Sequence, residues 1–372
     1  MPRRDNSRFV RVMSNSGFLC FFGTYTPAGG ASRGIYAARL DPASGVLGEP
    51  VLAAETANPT FLAWHPSGRT LYALGESGTV NGKPGGALAA FRFDATAGTL
   101  TRLNTEPTGS IGLAHVALDA TGRAAVAISY HGGQVASFPI LSDGSLGART
   151  TLLTHTGRLG PNTKRQDKPH PHCATVSPDN RFVYVPDLGL ARIFHYRLDA
   201  DAATLSPVGE TASAPGAGPR HSRFSADGRF LYVINELNGT IEVFATDTPA
   251  DTLTRVQIIT TLPADFAGEN ICAEIRLSPD GAFVYGSNRG HDSLAVFARD
   301  AITGRLSPVE IVPTGGRHPR NFNLSPDGRW LVCANKDSDT ATVFARDAAT
   351  GRLTRTPQTL VVPQAVCVLF AS

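Results

Sequence analysis

Short apolar segments that alternate with turn residues recur along the whole chain. One motif joins an apolar segment, an Asp-containing turn and a leucine, as in LAVFARDAITGRL (Leu294–Leu306), and it occurs seven times. Its last leucines are 46 to 59 residues apart, at Leu47, Leu100, Leu146, Leu205, Leu253, Leu306 and Leu353. A second motif, of the type SPDGRWLVCA (from Ser325), occurs six times. Its Pro, Asp and Gly favour a tight turn between two strands.

A period of roughly 40–50 residues built from short strands is typical of a β-propeller. About four strands fit in each period, and radial packing of four-stranded sheets buries their faces and leaves only short edges. Seven closing motifs therefore predict an all-β, seven-bladed propeller in one domain at residues 16–372, after a disordered lead at residues 1–15. The first unit lacks an opening motif, whereas Pro363–Phe370 resembles the first strand of a unit. We therefore expect the C-terminal strand to complete the first blade, beside Phe18–Phe22.

Composition narrows the possible functions. The net charge is only +3 and the basic residues are scattered, which argues against nucleic-acid binding. The chain has neither an apolar run of 18 residues nor the apolar core of a secretory signal, so we expect no membrane span. We also expect a cytoplasmic protein, monomeric or weakly homo-oligomeric. The odd number of cysteines and the absence of CxxC spacing favour buried, reduced thiols at Cys20, Cys173, Cys272, Cys333 and Cys367.

Alignment of the hairpin turns reveals four equivalent positions with dissimilar, often polar residues. Two lie before the turn: one contains Thr60, Ala114, His172, Arg220, Ala273 and Arg320, and the next contains Phe61, His115, Cys173, His221, Glu274 and Asn321. Two lie after it: one contains Gly75, Ser129, Asp187, Asn235, Asn288 and Asn335, and the next contains Glu76, Tyr130, Leu188, Glu236, Arg289 and Lys336. All four positions fall at one end of the innermost hairpin, which predicts a ring of polar groups at one mouth of the central channel. Such convergence predicts a binding site.

Structural roles are the alternative for several of these residues. Asn and Asp near a turn often only satisfy backbone groups, which applies to Asn288. A charged side chain near the axis costs several kcal/mol if it is unpaired, so Arg220, Glu236 and Arg289 each need a partner or a ligand, and mutual salt bridges remain an alternative. The segment HPHC (His170–Cys173) has ligand-like spacing, but alternate residues of a strand point to opposite faces and no second cluster matches it. We therefore expect no metal.

An ordered set of short motifs resembles the seven-bladed lactonase family, which includes bacterial 6-phosphogluconolactonases and fungal 3-carboxy-cis,cis-muconate lactonising enzymes. The motifs are GTYT (Gly23–Thr26), HPH (His170–His172), GPRH (Gly218–His221), NE (Asn235–Glu236), SNRGHDS (Ser287–Ser293) and HPRNF (His318–Phe322). The resemblance extends from about Phe18 to Phe370 and implies catalytic roles for His172, Arg220, Glu236 and Arg289. The other candidates, from the aligned positions, are the substrate-binding residues His115, His221, Glu274, Asn288, Arg320, Asn321 and Lys336.

The resemblance implies cofactor-independent hydrolysis of a small anionic sugar lactone, of the 6-phosphogluconolactone type. Hydrolysis requires a base for the water and a cation or donor for the carbonyl oxyanion. Either Glu236 or His172 is the base, with Arg220 at the oxyanion, which leaves Arg289, Arg320 and Lys336 for an anionic group such as phosphate. Carboxymuconate is also anionic, so cycloisomerisation is the enzymatic alternative. A propeller that binds a ligand or a protein without catalysis is the other.

Overall fold

A ring of β-sheets makes up the fold. The computed structural model describes residues 17–76, 79–80, 83–95, 97–247 and 251–371, which contain seven four-stranded antiparallel sheets and a two-stranded hairpin. The first strand of each sheet packs against the first strands of both neighbouring sheets, so these strands close a ring around a central axis. The predicted seven-bladed propeller is therefore confirmed. The expectation of a disordered lead at residues 1–15 concerns residues outside the described ranges.

We number the blades along the chain and give their strands from the axis outwards. Blade 1 contains Ala365–Phe370, Phe18–Thr24, Gly34–Leu40 and Val51–Glu55. Blade 2 contains Pro59–Trp64, Thr70–Gly75, Ala87–Asp94 and Thr99–Pro107. Blade 3 contains Leu113–Leu118, Ala124–Ser129, Gln134–Pro139 and Thr151–Thr154. Blade 4 contains Thr175–Val176, Phe182–Asp187, Arg192–Asp199 and Thr204–Ala212.

The remaining blades follow the same order. Blade 5 contains Pro219–Phe224, Phe230–Asn235, Thr240–Asp247 and Thr252–Thr260. Blade 6 contains Ile271–Leu277, Phe283–Arg289, Ser293–Arg299 and Leu306–Pro313. Blade 7 contains Pro319–Leu324, Trp330–Asn335, Thr340–Arg346 and Leu353–Val361. The hairpin pairs Thr79–Val80 with Lys83–Pro84, and a 3₁₀ turn covers Lys336–Ser338.

Blade 1 is built from both ends of the chain. Its innermost strand is antiparallel to Phe18–Thr24, with Cys20 opposite Phe370 and Phe22 opposite Val368. The predicted closure by the C-terminal strand is therefore confirmed. This pairing covers a strand edge that would otherwise be open.

The repeated motifs also join neighbouring blades. The Tyr232 hydroxyl of an opening motif donates to the carbonyl oxygen of Gly304, in the closing motif of the next blade, at 2.9 Å. Gly304 has a φ of 70°, which the preceding Asp-containing turn requires and which glycine adopts without strain. Apolar side chains fill the space between adjacent sheets, as Ile234 and Val284 do between blades 5 and 6. The same hydrogen bond recurs between other blades, so the motifs specify contacts between blades as well as local turns.

The five cysteines are buried and free. Burial raises the pKa of Cys272 to about 11, so this thiol is protonated at neutral pH. Within the described ranges, no helix has the length and apolarity needed to cross a bilayer.

Candidate active site

The site lies where the innermost strands begin and their antiparallel neighbours end. Pro219 pairs with Asn235 in blade 5, and Ile271 pairs with Arg289 in blade 6. Arg220 and Glu236 directly follow Pro219 and Asn235 along the chain, so they are neighbours across the hairpin of blade 5. Because adjacent blades converge at the axis, Arg289 of blade 6 meets them there.

Glu236 lies at the centre of the site and contacts three arginines. It is only 3% exposed, and its Oε2 lies 2.9 Å from Nε of Arg220 and 2.9 Å from Nη2 of Arg289. Its other oxygen, Oε1, accepts a hydrogen bond from Nη2 of Arg165. Burial alone would raise the pKa of Glu236, but the charges of Arg289 and Arg220 hold that pKa far below its usual range. Glu236 is therefore an ionised anchor for the three cations.

Two of these arginines are also fixed by the backbone. Nη1 of Arg220 donates to the carbonyl oxygen of Ala273 at 2.5 Å. Arg289 donates to the carbonyl oxygens of Ile271 at 3.2 Å and of Cys272 at 2.7 Å. Burial lowers the pKa of Arg220 to about 9, which still leaves it charged at neutral pH. Both guanidinium groups are buried, so they are positive charges with fixed positions.

The third arginine, Arg165, was not identified from the sequence because it lies outside the repeat. It belongs to the segment of residues 155–174, which connects blade 3 to blade 4 and contains no strand. The leucines that flank this segment, Leu146 and Leu205, are 59 residues apart, the widest spacing in the chain. The segment also contains Lys164 and Lys168. The unusual length of this unit and its basic residues were the features of the sequence that could have indicated Arg165.

His172 precedes the short innermost strand of blade 4 and is 5% exposed. Its Nδ1 is buried and has no hydrogen-bond partner among the described residues. Nε2 is therefore the ring nitrogen that can reach a molecule in the cavity. Burial, and next the charge of Arg220, hold the pKa of His172 well below its usual value. The imidazole is therefore neutral at neutral pH.

These groups enclose a cavity of about 190 Å³. Besides His172 and Arg165, its polar wall contains Tyr25, Glu76, Tyr130, His131, Glu236, Arg289 and Arg320. With His172 neutral, the charged residues of the cavity wall are three arginines and two carboxylates: Arg165, Arg289, Arg320, Glu76 and Glu236. Arg220 adds a further positive charge beneath the cavity. This excess of positive charge favours an anionic ligand.

The aligned sequence positions separate into layers in the structure. The last of the four aligned positions, where the second strand of the hairpin ends, contributes Glu76, Tyr130, Glu236 and Arg289 to the cavity. Tyr25 occupies this position in blade 1, because it makes the same backbone hydrogen bond as Glu236. The Tyr25 N–H donates to the carbonyl oxygen of Gln364 at 3.0 Å, and the Glu236 N–H donates to that of Gly218 at 2.7 Å. The alignment missed Tyr25 because blade 1 has no opening turn before this strand.

The first position before the turn contributes His172 and Arg320 to the cavity. Arg320 has no carboxylate within ion-pair distance in the described part of the chain, and its Nη2 lies 3.4 Å from the Tyr25 hydroxyl. Arg220, from the same position, lines a much smaller void of about 10 Å³ next to the cavity, together with His221 and Asn321. The four residues that the family resemblance identifies as catalytic are thus brought together, with Arg220 one layer deeper.

A second buried carboxylate, Glu274, lies outside the cavity wall. Its Oε2 accepts hydrogen bonds from Asn321 at 2.5 Å and from Nδ1 of His221 at 3.2 Å. Its Oε1 accepts one from Arg223 at 3.1 Å and lies 3.5 Å from Nε of Arg276. Both oxygens are therefore occupied by protein groups from blades 5, 6 and 7. His115 also lies away from the cavity wall, and its ring contacts Phe61 at 4.1 Å between centroids.

Two further candidates lie elsewhere. Asn288 joins blade 6 to the end of blade 5, because its Oδ1 accepts from Thr261, just after the outer strand of blade 5, at 2.7 Å. Its Nδ2 lies 3.2 Å from Oγ of Ser293, on the next strand of blade 6. Lys336 lies 2.8 Å from Asp337 and does not line the cavity.

An open groove of about 740 Å³ adjoins the cavity. Arg165, Ile271 and Arg289 line both spaces, so they form the boundary between them. The outer wall of the groove includes Asn162, Asn238, Asn270 and His318. A ligand longer than the cavity would therefore have to pass these residues to reach the groove.

The arrangement is suited to chemistry on a polar, anionic molecule. A neutral histidine supplies a proton acceptor, and fixed guanidinium groups stabilise negative charge that develops on an oxygen. Among the described residues, no group of three or more His, Cys, Asp or Glu is positioned to hold a metal ion. The histidine and the guanidinium groups of the site can supply acid–base and electrostatic catalysis.

Comparisons with known proteins agree with this fold. A sequence model of the family described as "Lactonase, 7-bladed beta-propeller" matches residues 19–370. The chain is similar to the 6-phosphogluconolactonase of Bacillus subtilis, with 37% identity over 353 residues, or 95% of this chain and 98% of the relative. It is also 32% identical to a 6-phosphogluconolactonase of Formosa agariphila over 71% of this chain and 74% of the relative.

Solved structures extend these similarities to three dimensions. A putative 6-phosphogluconolactonase from Bacteroides fragilis has a TM-score of 0.88 and 34% identity, covering 96% of this chain and 99% of that chain. A periplasmic gluconolactonase from Pseudomonas aeruginosa has the same TM-score, identity and coverage. The repeat, the closed ring and these matches lead to one conclusion. This chain belongs to the seven-bladed β-propeller lactonase family.

Proposed function

We propose that the protein is a lactonase that hydrolyses 6-phospho-D-glucono-1,5-lactone to 6-phospho-D-gluconate. The observation that supports this proposal is the cavity that neutral His172 shares with Arg165, Arg289 and Arg320. Relatives named 6-phosphogluconolactonase, similar over most of the chain, support the substrate. The excess of positive charge in the cavity supports an anionic lactone rather than a neutral one.

We infer that His172 is the general base of the reaction. Water adds to the carbonyl carbon of the lactone and the ring C–O bond breaks. The proton of the water moves to Nε2 of His172 and then to the ring oxygen, which leaves as a hydroxyl group. The new carboxylic acid releases its own proton to solvent at neutral pH.

Glu236 has a different role in this proposal. Both oxygens of Glu236 already accept from arginines, so this carboxylate is not free to take the proton of the water. Glu236 therefore orients the guanidinium groups and balances part of their charge. It keeps Arg220 and Arg289 in place before the substrate arrives.

Arg289 and Arg320 are the cations that we assign to the carbonyl oxyanion. Both line the cavity, whereas the Nε and Nη1 donors of Arg220 are engaged by Glu236 and by the Ala273 carbonyl. Arg320 has the fewest partners of the three. A positioned cation at the developing negative charge lowers the barrier because it needs no reorganisation during the reaction.

We also propose that the protein acts in the cytoplasm, without a cofactor. Five free, buried thiols support a reducing compartment. Because the similar gluconolactonase of Pseudomonas aeruginosa is described as periplasmic, the compartment needs its own test. Recovery of the protein in the periplasmic fraction of its host would contradict this part of the proposal.

The activity is tested with purified protein and 6-phosphogluconolactone formed in situ by oxidation of glucose 6-phosphate. We expect saturable formation of 6-phosphogluconate at a rate well above spontaneous hydrolysis. No acceleration at high protein concentration would overturn the proposal. Carboxymuconate is the second substrate in this experiment, and closure of carboxymuconate without hydrolysis of the sugar lactone would identify the protein as a cycloisomerase.

A further inference from the structure

Arg165 differs from the other two arginines that contact Glu236. Its side chain is 36% exposed, whereas those of Arg220 and Arg289 are 2% and 3% exposed. It binds Oε1 of Glu236, while the other two bind Oε2. Arg220 and Arg289 are additionally held by backbone carbonyls, whereas the further side-chain partner of Arg165 is the Tyr130 hydroxyl, at 3.4 Å. Arg165 is therefore the arginine that can exchange Glu236 for a ligand without disturbing the other contacts of the carboxylate.

The position of Arg165 matches the end of a long substrate. Ligand pockets usually measure about 300–1,000 Å³, so the cavity of about 190 Å³ is small for a whole phosphorylated sugar lactone. If the lactone ring lies against His172, its substituent must extend into the adjoining groove. Arg165 and Arg289 line the boundary that this substituent has to cross.

The charges at this boundary favour a phosphate. Arg165 and Arg289 both line the groove, and Glu269, the carboxylate in its described wall, is exposed to solvent. A guanidinium binds phosphate through two parallel hydrogen bonds, and such charge-assisted bonds are stronger than neutral ones. A phosphate carries more charge than the single carboxylate of Glu236, so it competes well for the exposed arginine.

We propose that Arg165 binds the phosphate of the substrate at the boundary between the cavity and the groove and thereby selects phosphorylated over unphosphorylated lactones. This inference rests on the proposed lactonase function, to which it adds the residue that recognises the phosphate. In the absence of ligand, Arg165 contacts Glu236. With substrate bound, the guanidinium moves to the phosphate, while Arg220 and Arg289 continue to hold Oε2.

The test compares Arg165→Gln with wild type on 6-phosphogluconolactone and on glucono-1,5-lactone. We expect the ratio of kcat/KM for the phosphorylated lactone to kcat/KM for the unphosphorylated one to fall by roughly 10- to 100-fold, the usual scale for one hydrogen-bonded charge. Most of this change should come from a higher KM for the phosphorylated lactone. Arg158→Gln removes the same charge from an exposed position on the same segment and should leave the ratio unchanged. An equal fall for both lactones, or no change for either, would overturn the role of Arg165.

A binding measurement separates this inference from the proposed function. Calorimetry with 6-phosphogluconate and gluconate, the two products, requires no turnover. We expect wild type to bind 6-phosphogluconate more tightly than gluconate and Arg165→Gln to lose this preference. Wild-type protein that binds both products equally would overturn the inference even if it hydrolyses lactones. A different result would separate the two proposals: wild type hydrolyses neither lactone, but it prefers 6-phosphogluconate and Arg165→Gln does not. That result would refute the lactonase proposal and leave phosphate recognition by Arg165 intact.

Discussion

Two buried carboxylates on neighbouring blades, Glu236 and Glu274, have similar surroundings but different positions relative to the cavity. Each contacts arginines, and their side chains are 4% and 0% exposed. Glu236 lines the cavity, and one of its partners, Arg165, comes from outside the repeat. Within the described ranges, the side-chain partners of the Glu274 carboxylate all come from innermost strands, so this charge joins blades 5, 6 and 7. A buried ion pair near the axis therefore indicates a site only where one of its partners remains accessible to a ligand.

The histidines next to these carboxylates show the same contrast. His172 lines the cavity, whereas Nδ1 of His221 lies 3.2 Å from Glu274. Their rings are 5.1 Å apart, and burial holds the pKa of both well below the usual value. Protonation therefore does not distinguish them. Access to the cavity does.

The largest effect that we expect is a loss of stability in acid, to which both regions contribute. His115, His172 and His221 have a folded-state pKa lowered by burial, so the unfolded chain binds protons below about pH 6.5 and the folded chain does not. The free energy of unfolding therefore falls as the pH drops through this value, by about 2 kcal/mol per histidine at pH 5. Urea unfolding at pH 7.5 and pH 5 measures the loss.

Single substitutions separate the three histidines in that experiment. His172→Asn and His221→Asn each remove one group, so each variant should lose about 2 kcal/mol less than wild type between the two pH values. Variants whose pH dependence equals that of wild type would show that these imidazoles are charged in the folded protein.

The next largest effect concerns Glu274. Glu274→Gln leaves Arg223 and Arg276 without their shared counter-charge, which should lower the free energy of unfolding by about 3–5 kcal/mol. The kcat of the protein that remains folded should stay within a few-fold of wild type. Glu55→Gln, which breaks an exposed ion pair with Arg33, is the control and should not change unfolding measurably. Unchanged stability with lost turnover would place Glu274 in the reaction.

The sequence specified the fold because the relevant signals are local and repeated. Each opening turn, each closing turn and the apolar strands between them carry the same chemistry in successive units, and the terminal strand at Pro363–Phe370 resembles its counterparts. The number of blades and their closure were therefore predictable. The end of the ring that holds the site was predictable for the same reason, because the polar positions share one place in the hairpin.

The depth of each side chain was not predictable from the alignment. Adjacent positions of one strand, such as Arg220 and His221 or Arg320 and Asn321, look equally polar in the sequence. In the structure, His172 and Arg320 line the cavity, whereas Glu274 of the next position does not. Irregular pairing contributes, since the register in blade 6 shifts between Cys272 and Ile275. Such shifts leave no mark in the amino-acid pattern.

Catalysis by His172 is tested by the rate of 6-phosphogluconolactone hydrolysis in His172→Asn and His221→Asn. Both variants replace a neutral, buried imidazole with a smaller neutral amide. We predict that kcat falls by about 10²–10⁴-fold in His172→Asn, the usual scale for loss of a general base, and stays within a few-fold of wild type in His221→Asn. Equal losses in the two variants, or the larger loss in His221→Asn, would contradict catalysis by His172 in the cavity.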